Sequence, residues 1–243
     1  MILAIALFLP SYSTIKYAST DTTKVIEEVL RNPLIYTYPA LFTLSKLLMI
    51  EMVAGVIVFS YMYRKIFAYY IFALLMVVAI FQNSANTADY GFVFLVGNAI
   101  VTVLVALAWL REAIKPENEY TKPKDWGWKW MLVPLVLLAF WFPANSLAQP
   151  DWSFAELFSN GAMLTYCMVT PILLFLLITA YPRVNIVTFK LTRFVALMFA
   201  IMNMITWFVL NNDYWYMGIM HLPLLILSVI AMCMNAKNIK VSI

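Results

Sequence analysis

Charge is scarce in this sequence. Only 12% of its 243 residues are Asp, Glu, Lys or Arg, while 64% are hydrophobic and the mean hydropathy is +0.86. That is more apolar surface than a soluble core of this size can hide, so lipid is the expected solvent. Glycine is short as well, six residues in the whole chain, which counts against a transporter built on broken helices and close backbone contacts. The two cysteines, Cys167 and Cys233, fall near opposite ends of their expected helices and cannot be bridged. The single histidine, His221, has no second His or carboxylate pair beside it, so zinc, di-iron and bis-histidine haem centres lack a donor set and no cofactor is expected. Gly-rich phosphate loops, a nucleophile elbow, HExxH and paired intramembrane aspartates are all missing, which removes support for nucleotide hydrolysis, serine hydrolysis and intramembrane proteolysis.

What the chain has is a row of long apolar runs. Their lengths predict an all-α integral membrane protein, a polytopic bundle of about eight transmembrane helices at roughly 1–19, 34–63, 66–84, 91–113, 129–148, 160–181, 191–210 and 214–236. Twelve of the sixteen cations then fall in loops on one side: Arg64 and Lys65, the 111–129 stretch, the 183–193 stretch, and the tail with Lys237 and Lys240. The other side holds Asp21, Glu27, Glu28, Asp89, Asp151, Glu156 and Asp213, with three cations, Lys16, Lys24 and Arg31; Lys46 lies inside a helix. The positive-inside bias makes the basic side cytoplasmic, with both termini inside and the plasma membrane as the expected location. These cations sit at helix ends rather than in an aromatic-laced patch, so the net charge of +4 is topological and no nucleic acid is expected. The first segment is the weakest span, because its apolar run ends at Leu9 and Pro10 follows. No cation precedes that run, so it does not read as a cleaved signal; if it fails to cross, the other seven helices keep their orientation.

The whole chain reads as one transmembrane domain. Residues 22–32 predict a short amphipathic helix on the outer surface, and 114–128 a cytoplasmic linker, followed by an aromatic belt at Trp126, Trp128 and Trp130. Three helices before the 129–148 span and three after it give a 3+1+3 arrangement. In both groups the second helix carries an Asn (Asn83, Asn203), and an Asp-Tyr pair (Asp89-Tyr90, Asp213-Tyr214) leads to the third. This layout resembles, in arrangement alone, the SWEET sugar transporters and the vitamin-precursor carriers of the nicotinamide riboside type, and no residue is carried over from either.

Polar groups inside the spans mark the candidate site. Counted up a continuous helix from Arg64, Glu51 lies roughly 20 Å above the inner boundary, and Lys46 roughly 27 Å, high enough to snorkel to the outer headgroups. A bare carboxylate at the depth of Glu51 must be protonated, paired or wet. His221 falls at a similar height, as do Asn98, Thr170, Tyr166 and Asn145. Pro143, Pro171 and Pro223 at one level predict kinks that splay the outer helix halves into a cavity lined by Glu51, Asn98, Trp141, Asn145, Tyr166, Thr170, Asn203 and His221. The plain alternative for these Asn and Thr side chains is interhelical hydrogen bonding. Fifteen methionines and 16% aromatics read as packing and lipid-facing residues.

The expected function is a transporter or permease for a small polar solute, with Glu51 or His221 coupling binding to protonation. Two other classes stay open: a non-catalytic integral subunit of a larger membrane complex, and a membrane-embedded enzyme acting on a lipid or cofactor with Glu51 and His221 as acid and base. The expected partners are the lipid bilayer, the small polar solute, and a second copy of the chain or partner membrane subunits.

Overall fold

A computed structural model describes residues 9–145 and 149–235. In chain order the elements are β1 (Tyr12–Ser13), α1 (Thr22–Arg31), α2 (Ala40–Val58), α3 (Ser60–Val77), β2 (Ser84–Thr87), β3 (Gly91–Phe94), α4 (Val96–Ile114), α5 (Val133–Trp141), α6 (Glu156–Ser159), α7 (Tyr166–Ala180), α8 (Ile186–Ile205) and α9 (Trp215–Cys233). Wide π turns extend α3 through Val78–Gln82 and α8 through Thr206–Leu210. Five helical stretches are long and apolar enough to cross a membrane: Ala40–Val58, Ser60–Gln82, Val96–Ile114, Ile186–Leu210 and Asn212–Cys233. A sixth arises if Glu156–Leu164 is joined to α7 across its 89° bend. The architecture is that of a helical membrane bundle.

The core is built around α7, whose residues from Met168 to Ala180 are all buried. A helix apolar on every side has no solvent face to present and belongs at the centre. Helices α5, α8 and α9 pack around it, α8 also meets α4, and α4 lies along α3. Thus α5 stands with the second group of three helices rather than midway between two groups.

Several expected boundaries shift, each for a local reason. Residues 9–19 do not continue a helix from the first segment: Tyr12 and Ser13 pair antiparallel with Phe94 and Val93, giving a three-stranded sheet in the order β1-β3-β2. Residues 1–8 of that segment lie outside the described residues, as do Lys237 and Lys240. The span expected at 129–148 stops at Trp141, where Phe142 turns left-handed at φ 50° ahead of Pro143, because a residue before proline is pushed out of the helical region. The amphipathic helix α1 covers its apolar face with the protein's own sheet: Val25 and Val29 are buried against Ala85, Val93 and Leu95. The 114–128 stretch is a strap rather than a free linker. Glu112 Oε1 accepts from the backbone N–H of Glu117 and Asn118 at 3.0 and 2.8 Å, and Asn118 Oδ1 accepts from the N–H of Asn185 at 2.7 Å. Asn185 in turn caps α8 by accepting from Val187 and Thr188.

The helix expected over 34–63 reverses direction at Phe59. Tyr70 Oη of α3 donates to the Ser45 carbonyl of α2 at 3.5 Å, and the Tyr63 ring lies on Gly55, so the two helices run antiparallel. These pairings set Glu51 level with Lys65. Both side chains are exposed, and Phe67 meets Trp109 edge-on at 5.8 Å, which brings Arg111 to the same end.

This hairpin depends on the missing side chain at Gly55, because a Cβ there collides with the Tyr63 ring. Gly55→Val should therefore lower the melting temperature in detergent, with an overpacking cost of about 1–3 kcal/mol. Adding Tyr63→Ala should restore part of the loss; an unchanged melting temperature in Gly55→Val would mean that the close approach is not needed.

Candidate functional site

At the end of the bundle opposite Arg64, Lys65 and Arg111, the last turns of α3 and α8 meet the first turns of α4, α7 and α9. They enclose a cavity of about 130 Å³. That is well below the roughly 300 Å³ of drug-sized sites and close to the roughly 150 Å³ that accommodates a benzene-sized ring. Among the described residues, no Asp, Glu, Lys or Arg lines it.

The polar lining is fixed by backbone groups. Gln82, at the end of the π turn, accepts the N–H of Tyr166 through Oε1 at 2.9 Å and so satisfies a donor at the start of α7. Asn83 directs Nδ2 to the carbonyls of Val78 and Ala79 at 3.4 and 3.1 Å, groups that the wide turn leaves without regular helical partners. Asn203, just before the second π turn, donates through Nδ2 to Phe199 O at 2.8 Å and to Cys167 Sγ at 3.4 Å, while its Oδ1 accepts from Trp207 Nε1 at 3.1 Å. His221 is buried, with Nδ1 2.7 Å from the Met217 carbonyl. A carbonyl can only accept, so Nδ1 carries the proton and Nε2 is left as an acceptor in the neutral ring. The imidazole lies 6.3 Å from the Trp207 ring and meets Phe142 edge-on at 6.4 Å. The carbonyl that holds it is its own i−4 partner, not one freed by Pro223.

Of the eight residues expected to share a cavity, Asn98, Tyr166, Asn203 and His221 do so. Thr170 is fully buried one helical turn below Tyr166, and the two hydroxyls are neighbours. The remaining three lie elsewhere. Glu51 is on the exposed face of α2 at the level of Lys65, because the reversal at Phe59 brings it to the basic end instead of roughly 20 Å above it. It is therefore at the other end of the bundle from His221, and the two do not form an acid–base pair. Trp141 ends α5, donates to Ser153 O at 3.4 Å and stacks on Phe154 at 5.8 Å. Asn145 closes the loop after Pro143, accepting from Gln149 N at 3.0 Å. Pro143 itself follows a finished helix and kinks none; its carbonyl accepts from Tyr216 Oη at 2.8 Å.

Lys46 does not snorkel. It is completely buried, its Nζ donates to Glu156 O at 2.9 Å and Trp141 O at 3.3 Å, and it lies 5.3 Å from the Phe140 ring centre. Sequence reasoning missed Gln82, Asn83, Cys167 and Trp207 as lining residues. A signal for one of them was present: Asn83 and Asn203 occupy matching places in the two helix groups, and both reach the cavity.

Lys46 ties the end of α5 to the bend before α7, but Asn160 Nδ2 donates to the same two carbonyls, so Lys46→Met should lower thermal stability only by the net value of the lost hydrogen bonds, about 0.5–1.5 kcal/mol each. Circular dichroism melting checks this; stability at or above the native value would show that the ammonium only fills space. No family model, curated protein or solved structure matches the chain.

Proposed function

We propose that this chain is a multi-pass plasma-membrane permease whose outer-end cavity binds a small uncharged polar solute. The observation that carries the reading is the convergence of Asn83, Asn98, Asn203, Gln82 and His221 on one small cavity that, among the described residues, no charged side chain lines. Apolar pockets with a few convergent polar groups are the usual form of a solute site. The positive-inside bias makes the Arg64, Lys65 and Arg111 end cytoplasmic, which opens the cavity toward the outside, with β1 and the sheet on that side. At the cytoplasmic end the strap from Glu117 to Trp126 closes the bundle, held by Glu112, by Thr121 Oγ1 on Thr179 O at 3.0 Å, and by Lys129 Nζ on the same carbonyl at 2.9 Å. Of the two residues expected to couple uptake to protons, His221 alone stands at the cavity, and its free Nε2 is the atom that takes up the proton.

A second reading, an integral subunit of a larger complex, draws on the tip of the α2–α3 hairpin. Val58, Phe59, Tyr61 and Met62 are 59%, 56%, 84% and 60% exposed, and they project past the row of Arg64 and Arg111. Native mass spectrometry of protein released from its own membrane separates the two readings: a stoichiometric protein partner favours the subunit, a lone chain or homo-oligomer the permease. The enzyme reading loses its acid–base pair with the separation of Glu51 from His221.

The permease is tested by osmotic swelling of proteoliposomes in acetamide, ribose and erythritol. At least one solute should enter faster than through protein-free vesicles. His221→Ala and Asn203→Ala should return that rate to the lipid baseline, whereas Glu51→Gln should leave it unchanged. Swelling no faster than bare lipid in every solute would remove the reading.

A further inference from the structure

Resting on the solute-binding reading, the cavity also specifies a solute class. Among the described residues, four of its polar side chains keep functions that the protein itself does not use. Gln82 commits Oε1 to the Tyr166 N–H and keeps both Nε2 protons. Asn83 commits Nδ2 to Val78 and Ala79 and keeps Oδ1. His221 commits its Nδ1 proton to Met217 and keeps Nε2. Asn98, whose backbone carbonyl accepts from Thr102 at 2.8 Å, has a carboxamide without a hydrogen bond among the described residues. Amide oxygen and nitrogen are hard to distinguish by shape, but here the backbone partners set the direction of Gln82 and Asn83.

The lining therefore presents donors at Gln82, acceptors at Asn83 and His221, and either at Asn98. A complementary ligand carries an acceptor beside donors. A carboxylate has no N–H for Asn83 or His221 and would be stripped of water without a counter-charge, and an ammonium has no carboxylate to meet; both costs run to several kcal/mol. An amide or lactam edge supplies C=O and N–H side by side. The walls favour a flat body: the rings of Trp207, Phe142, Tyr166 and Phe199 face the cavity, the last two with centroids 4.9 Å apart, and aromatic faces stack on planar groups. The volume of about 130 Å³ suits one ring.

We propose that the cavity takes a planar, uncharged ring with an amide or lactam edge, Gln82 donating to its carbonyl oxygen and Asn83 and His221 accepting from its N–H groups. The test is calorimetric titration of the full chain in lipid nanodiscs with four probes: benzamide, uracil, benzoate and erythritol. Benzamide and uracil should bind saturably, benzoate at least about tenfold more weakly than benzamide, the value of one well-placed hydrogen bond, and erythritol not measurably. Gln82→Glu keeps the oxygen that accepts from Tyr166 and replaces the donor by an acceptor, so it should weaken benzamide by tenfold or more. Asn98→Ala removes a carboxamide with no bond inside the protein, so it should fold normally and also weaken benzamide. Benzoate binding as tightly as benzamide overturns the proposal, as does unchanged benzamide affinity in both variants. Binding of erythritol alone overturns the ring class and leaves the permease standing. Silence of all four probes also overturns the class, while the permease is then decided separately by the swelling assay.

Discussion

Backbone carbonyls and N–H groups left open where helices stop are the constraint on which this fold turns. In an apolar slab there is no water to satisfy them, and each bare group costs several kcal/mol. Several of the polar side chains held in the bundle are directed at such groups. Asn160 Nδ2 donates to Trp141, Phe142 and Glu156 at 2.8, 3.0 and 2.7 Å, and Lys46 reaches two of the same carbonyls. Arg193 closes the C-terminal end of α9 through Ala231 O and Met234 O, both at 2.8 Å. Remove these side chains and the breaks at α5, α6 and α9 have no way to stay dry.

The cavity follows from the same rule. A π turn carries one residue more than a regular turn and opens the carbonyl ladder; α3 and α8 each end in one, and while Asn83 turns back on carbonyls within the first, Asn203, just before the second, donates to Phe199 O in the regular helix and accepts from Trp207 within the turn. The amide faces not used in that repair are what line the cavity. At the opposite end the breaks are repaired by a carboxylate, Glu112, and by Asn118 and Asn185, and there the chain is packed shut. One end of the bundle thus turns spare hydrogen-bonding capacity toward a cavity, and the other buries what it has, Glu112 Oε2 and Asn185 Nδ2 included.

Much of this was legible in the residues. Apolar run lengths located seven helical stretches, and polar groups inside the spans placed Asn203 at the cavity, while Asn83 was noticed only as its counterpart in the first helix group. Legibility failed where direction mattered. Glu51 was set too deep because nothing in the run from Leu34 to Tyr63 marks a reversal; Phe59 is a poor stop signal, and only Tyr70 on Ser45 and Tyr63 on Gly55 reveal the hairpin. Trp141 and Asn145 were drawn into the cavity by assuming a helix that continues past Phe142. Helical azimuth could not be read either, since α2 and α7 are apolar all round and carry almost no amphipathic signal. Lys46 is the clearest case: a lone cation in such a helix reads as lipid-surface chemistry, and three-dimensional packing makes it a structural tie.

The reversal at Phe59 bears on how the protein fits a bilayer. From Lys65, the exposed cation on α3, to Gln82 at the cavity is about 26 Å of helix, a few ångströms short of a typical hydrocarbon core of about 30 Å. A short helix cannot afford tilt, which would reduce its reach further. Placed in a bilayer, α3 therefore stands close to the membrane normal, and the surrounding lipid thins to meet it at a modest cost per ångström. Acyl-chain length then becomes a variable of this protein's behaviour, with thinner membranes relieving the mismatch that thicker ones impose.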